Sequence, residues 1–166
     1  MPKRFQDLMR RAHRDIDASR VAVSILRADS KVAQRLERAL TDAGLTLPQF
    51  NLLMELAASP DSTLPLYEIN ARLISTPPNT SWLCTRMEQS RLVTRRRGKS
   101  DARVVMVALT EKGWAALATA APLVFEAEKE LLNGYSRAEL RSLAKLLAPL
   151  LEQTNTRPSP GADISS

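Results

Sequence analysis

The sequence predicts a mainly α fold, a winged helix-turn-helix whose N- and C-terminal helices form a dimerisation region. Three observations carry this. Aromatics make up only 4% of the 166 residues and glycine occurs five times, while Ala, Leu and Arg abound, a composition that favours helix over a sandwich or barrel. From Arg14 to Ala43 there is no Gly or Pro, and apolar residues recur at three- and four-residue steps. In the middle of the chain two short helical stretches run directly into a hairpin-forming segment. A chain of this length supports one domain with a real core, or one small domain with long helical extensions.

The elements follow in order. The first helix is expected over Arg14–Ala43, with Val21, Ile25, Ala28, Val32, Leu36 and Leu40 as its apolar stripe, and Gly44 stops it as a left-handed cap. Thr46, with Gln49 three residues later, has the spacing of a capping box. It opens a short helix carrying Phe50, Leu52, Leu53 and Leu56, apolar enough to be buried on more than one side and ended by Ser59-Pro60. After a turn over Pro60–Thr63, Leu64–Leu66 makes a strand stub and Tyr67–Ile74 a short helix. Thr76 reads as the N-cap of a helix over 77–90, with Pro77 at the first helical position, where its missing N–H is harmless. Two short helices joined so tightly outline a helix-turn-helix.

Leu92–Arg97 and the β-branched-rich Arg103–Leu109 flank the polar Gly98-Lys99-Ser100-Asp101, which predicts a β-hairpin and so a wing over 94–107. Thr110 caps a helix running through Trp114, Leu117, Leu123 and Phe125 to Leu132, with a kink expected at Pro122. Ser136 with Glu139 opens the last helix, whose stripe is Leu140, Leu143, Leu147, Leu150 and Leu151, with Pro149 near its last turn. Residues 154–166 have Pro, Ser and Gly and no periodicity and are expected to be a disordered tail. The first and last two helices carry more apolar stripe than a small winged helix over 45–110 can cover. A second copy supplies the cover if 1–44 and 111–153 form a helical dimerisation region; the alternative is a monomer with its end helices folded on its own core.

Charge gives the first functional clue. The chain has 24 Lys and Arg against 18 Asp and Glu, a net +6. Seven bases and two acids lie between Arg86 and Arg103, and residues 1–20 add a further +3, leaving the remainder at −2. Such localised basicity is the footprint of a polyanion partner, or else a solvated charged face. The apolar run Trp114–Phe125 is too short to cross a bilayer, and no apolar signal core follows the basic N-terminus, so a cytoplasmic location without membrane contact is expected. One Cys cannot form an internal disulfide. One His and one Cys supply no metal cluster, and there is no phosphate-binding glycine loop or nucleophile motif. The expectation is therefore no catalytic residue, no metal, no cofactor and no enzyme activity.

Leu45-Thr46 with Gln49-Phe50, then Ile69–Leu73, then Thr80 to Arg91-Leu92-Val93-Thr94-Arg95-Arg96, then Asp101-x-Arg103 and Leu109-Thr110, resemble the MarR (multiple antibiotic resistance regulator) family over Ala18–Leu151. The most specific piece is D-x-R, five residues, then L-T opening a helix. The resemblance implies a homodimeric bacterial or archaeal transcription regulator, usually a repressor. It implies a pseudo-palindromic operator on double-stranded DNA and, in many members, release by a small, often aromatic ligand or by an oxidant. Arg91 stands where members commonly have glycine, and Trp82 where a small or basic residue is commoner.

The helix over 77–90 divides by its own period. Thr80, Leu83, Cys84 and Met87 lie at i, i+3, i+4 and i+7 and face inward, while Asn79, Ser81, Trp82, Thr85, Arg86 and Gln89 face out. Short polar groups with an arginine suit a helix laid in the major groove, so Asn79, Ser81, Thr85 and Arg86 are candidate DNA contacts. Trp82 either meets a sugar or thymine methyl or packs along the flank of its own helix. The family motif implies that Arg103 enters the minor groove with Asp101 holding it through an ion pair. Arg95, Arg97 and Lys99 then contact phosphates, each alternatively a solvated side chain. The family's ligand pocket lies between the dimer helices and the winged helix, and His13, Arg20, Phe50 and Trp114 are candidate lining residues. Oxidant-sensing members use a cysteine near the first helix; here the single Cys84 is on the inward stripe, where a thiol behaves as a small hydrophobe. The competing function is a winged helix used for protein contacts or as an architectural DNA binder without an effector.

Overall fold

The uninterrupted apolar period folds as helix α1 (Ile16–Thr41) in the computed structural model, which describes residues 16–73, 80–98 and 101–153. Gly44 ends α1 in the left-handed region at φ 65°, which lets the Leu45 N–H reach back to the Leu40 carbonyl at 3.3 Å and the Gly44 N–H to Thr41 at 3.1 Å. Thr46 and Gln49 form the reciprocal box, with Thr46 N–H donating to Gln49 Oε1 at 2.9 Å and Gln49 N–H to Thr46 Oγ1 at 3.4 Å. They open α2 (Leu47–Ala57), which buries Phe50, Leu52, Leu53 and Leu56 on several sides.

A 3₁₀ turn over Pro60–Ser62 leads into strand β1 (Thr63–Pro65) and helix α3 (Leu66–Arg72). Both begin one residue earlier than the sequence reading, because Thr63 already pairs with Ala108 and extended Pro65 starts the helix. α3 also ends sooner, at an extended, buried Leu73. The expected N-cap Thr76 and first helical residue Pro77 lie outside the described residues; the described part of the next helix is α4 (Thr80–Gln89).

Strands β2 (Val93–Arg97) and β3 (Val105–Leu109) complete a three-stranded antiparallel sheet in the order β1-β3-β2. Val107 of the central strand faces Leu64 on one side and Arg95 on the other and is fully buried. β3 starts two residues later than expected, because Asp101–Val104 closes a turn in which the Val104 N–H donates to the Asp101 carbonyl at 3.1 Å. Helix α5 (Glu111–Leu131) follows, capped by Thr110, whose Oγ1 accepts from the Gly113 N–H at 2.9 Å. It runs unbroken through Pro122, with Leu117, Ala120, Val124 and Ala127 buried on either side of the proline.

The chain divides into two units, residues 1–129 and 130–166. In the first, one core joins Leu36 and Leu40 of α1 to α2, Ile69, the inward stripe of α4, the sheet and α5. The second holds α6 (Arg137–Gln153), which continues past Pro149 and is opened by Ser136, whose N–H and hydroxyl donate to Glu139 Oε2 at 2.8 and 2.7 Å. These bonds hold the Glu139 carboxyl below its ordinary pKa. Large apolar side chains stay uncovered on both long end helices, among them Val21, Val23 and Leu26 of α1 and Leu143, Leu146 and Leu151 of α6. No helix among the described residues is long and apolar enough to cross a membrane, and no group of three or more metal-ligating side chains occurs among them.

Candidate nucleic-acid interface

Helix α4 splits as its period requires: Thr80, Leu83, Cys84 and Met87 are buried, while Ser81, Trp82, Arg86 and Gln89 are exposed and Thr85 is half-buried. Asn79 lies outside the described residues. Trp82 does not enter the core; it is 56% exposed and carries the Arg86 guanidinium over its ring, 4.7 Å from the centroid. Burial pushes the Cys84 thiol up to about 11, against the opposing charge of Arg95 and with Glu88 raising it further.

Two residues assigned separate tasks from the sequence meet in the structure. Arg95 Nη1 donates to Thr85 Oγ1 at 2.7 Å, and the Arg95 backbone N–H donates to the Glu88 carboxylate at 3.1 Å. The Thr85 hydroxyl in turn donates to the Ser81 carbonyl at 2.9 Å. Arg95, expected at a phosphate, is thus a strut between β2 and α4 that fixes the wing to the recognition helix. Sequence periodicity sees one element at a time and cannot reveal this cross-element bond.

On the wing, Arg97 Nη1 donates across the turn to the Ala102 carbonyl at 3.3 Å. The expected Asp101–Arg103 ion pair is absent. The Asp101 carboxylate instead accepts the Arg103 backbone N–H at 2.8 Å, the two-residue reach natural to an aspartate in a turn. It orders the backbone, and the Arg103 side chain is exposed. Lys99 lies outside the described residues. Arg96, not singled out from the sequence, is also exposed on β2; its place in the arginine run was the available signal.

The far end of α4 is locked to the start of α5. Arg91 takes the left-handed conformation, φ 60°, so that its N–H reaches the Glu88 carbonyl and the Leu92 N–H the Met87 carbonyl, both at 2.9 Å. Thr110 Oγ1 then lies 2.7 Å from the Arg91 carbonyl and 3.0 Å from that of Leu92, and Lys112 Nζ donates to the Ser90 carbonyl at 2.9 Å. Gly113 packs so closely on Leu92 that any Cβ there would collide with the Leu92 carbonyl oxygen.

A cavity of about 240 Å³ in the first unit is walled by Phe50, Met54, Leu73, Val124 and Phe125, with Asn51, Glu55 and Glu128 also lining it. Of the four ligand candidates only Phe50 lies here. Arg20 borders an open groove of about 340 Å³ along α1 with Ser19, Val23, Ser24 and Arg27, Trp114 lines neither space, and His13 lies outside the described residues. Periodicity marked α2 and α5 as core-forming but could not say where their side chains leave a gap.

The architecture defines the class: a winged helix-turn-helix, presenting an exposed polar helix face beside an arginine-rich wing. Residues 43–104, which include α2, α3, α4 and β2, match the model of the MarR family. Solved structures agree. AbsC, a MarR family transcriptional regulator from Streptomyces coelicolor, is 24% identical over 84% of this chain and 95% of its own, with a TM-score of 0.77. Sco3205, from the same organism and solved in complex with DNA, is 26% identical over 85% of this chain and 92% of its own, with a TM-score of 0.75. A MarR family regulator from Silicibacter pomeroyi is 27% identical over 84% of this chain and 97% of its own, with a TM-score of 0.70. No curated protein matches the chain.

Proposed function

We propose that this protein is a cytoplasmic, homodimeric, sequence-specific DNA-binding regulator that represses transcription and is released by a small-molecule ligand. The helix over 77–90 enters the major groove of a pseudo-palindromic operator, and the wing over 94–107 enters the minor groove. The observation that carries this reading is the exposed face of α4 beside the exposed Arg96, Arg97 and Arg103, on a frame stiffened by the Arg95–Thr85 strut. Likeness to Sco3205, solved with DNA, supports it.

The dimer reading is supported by the exposed apolar side chains of α1 and α6, which suit a second copy of the same helices; on this reading 1–44 and 111–153 serve dimerisation and 45–110 serves DNA binding. The effector site is the cavity at Phe50. Its apolar walls accept an aromatic body, and the carboxylates of Glu55 and Glu128 favour a cationic or hydrogen-bond-donating group on it. A ligand is preferred to an oxidant because a buried thiol raised to about 11 holds almost no thiolate at neutral pH.

Arg86→Ala and Arg103→Ala should each weaken operator binding at least about tenfold in an electrophoretic shift, with dimer mass and helix content intact. Unchanged affinity in both variants sinks the assignment. A purely architectural binder separates on salt: a regulator keeps its operator at a salt concentration that strips random DNA.

A further inference from the structure

Trp82 and Arg86 stand four residues apart on the outward face of α4, where side chains at that spacing meet. Arg95 is tied to Thr85, whereas the Arg86 guanidinium is exposed and its contact among the described residues is the Trp82 ring, at 4.7 Å. The indole is 56% exposed on the outer face of the helix. It restricts the arginine: a cation over an aromatic face is drawn to one side of a long, otherwise mobile side chain.

We propose that Trp82 and Arg86 act as one base-reading unit, in which the indole holds the guanidinium for a guanine and covers the methyl group of a thymine on the guanine's 5′ side. This rests on α4 entering the major groove. There, guanine presents N7 and O6 to an arginine, and a neighbouring thymine presents its C5 methyl, an apolar target for the exposed part of the indole. Arg86 is the contacting group for guanine; Trp82 is its positioning residue and the contact for the methyl. The pairing also suits the lean of helical side chains toward the N-terminus, which lays Arg86 back over the indole one turn before it, and Ser81 stays exposed.

The test is selection of bound sites from a random duplex library by the full-length chain, compared among wild type, Trp82→Ala, Trp82→Phe and Arg86→Lys. Wild type should select half-sites containing a thymine–guanine step. Trp82→Ala should lose about three- to tenfold of its preference at both positions of that step, with affinity for random DNA and the salt slope unchanged. Trp82→Phe should keep most of the guanine preference, since a phenyl face still receives a guanidinium. Arg86→Lys should lose it, since an ammonium cannot make the paired bonds to N7 and O6. If wild type selects an operator and Trp82→Ala selects it equally well, the unit is refuted while the DNA-binding reading stands. If wild type selects no sequence at all, both fall. Circular dichroism of each variant separates misfolding from lost recognition.

Discussion

Two helix ends in this molecule are built alike, and they are held by different means. α1 and α4 each close with the same pair of backward hydrogen bonds, and each is followed by a buried leucine, Leu45 or Leu92. Both need one residue in the left-handed region: Gly44 at φ 65° after α1, Arg91 at φ 60° after α4. At Gly44 nothing lies within reach of an added Cβ, so the residue type alone makes the turn comfortable. At Arg91 the residue type opposes the turn, and the contacts of its carbonyl with Thr110, beside those of Ser90 with Lys112 and Leu92 with Gly113, hold it there. A backbone shape can be written into one residue or imposed by its neighbours, and only the first kind is visible in a local sequence.

That contrast can be broken from the neighbours' side first. Gly113→Ala forces a methyl into the Leu92 carbonyl and should cost about 2–3 kcal/mol by thermal or urea unfolding, the largest effect here. Thr110→Ala removes both the α5 cap and the hydroxyl beside the Arg91 carbonyl and should cost about 1–2 kcal/mol by the same measurement. The residue-type side gives smaller effects of opposite sign. Gly44→Ala should cost about 1 kcal/mol, purely through its backbone, while Arg91→Gly should gain roughly 0.5 kcal/mol once glycine's extra unfolded-state freedom is subtracted from the relieved strain. If Arg91→Gly instead destabilises, the arginine side chain rather than its neighbours holds the second turn.

Legibility in the sequence follows the same division. The long period of α1, the boxes at Thr46–Gln49 and Ser136–Glu139 and the buried stripe Thr80, Leu83, Cys84 and Met87 are local patterns, and each lies where the sequence placed it. The Arg95–Thr85 strut joins two elements, so Arg95 read as one more surface cation. Asp101 misled because D-x-R spacing suits either an ion pair or a turn in which the carboxylate takes a backbone N–H. The Trp82–Arg86 stack was within reach, since four-residue spacing on an outward face brings side chains together.

The unbroken course of α5 has a mechanical consequence. The helix is pinned near Lys112 and Gly113 to the end of α4, and about 18 Å further along, at 1.5 Å per residue, Val124 and Phe125 wall the cavity. Between the two lies Pro122, which has no N–H to give to the helix ladder, so the same helix carries both ends of the connection and a place to bend between them. A tilt of about 5° about the pinned end displaces the cavity wall by roughly 1.5 Å over that length. On the reading proposed above, an object seated in the cavity would bear on the same helix whose other end is hydrogen-bonded to the end of the helix bearing Trp82 and Arg86.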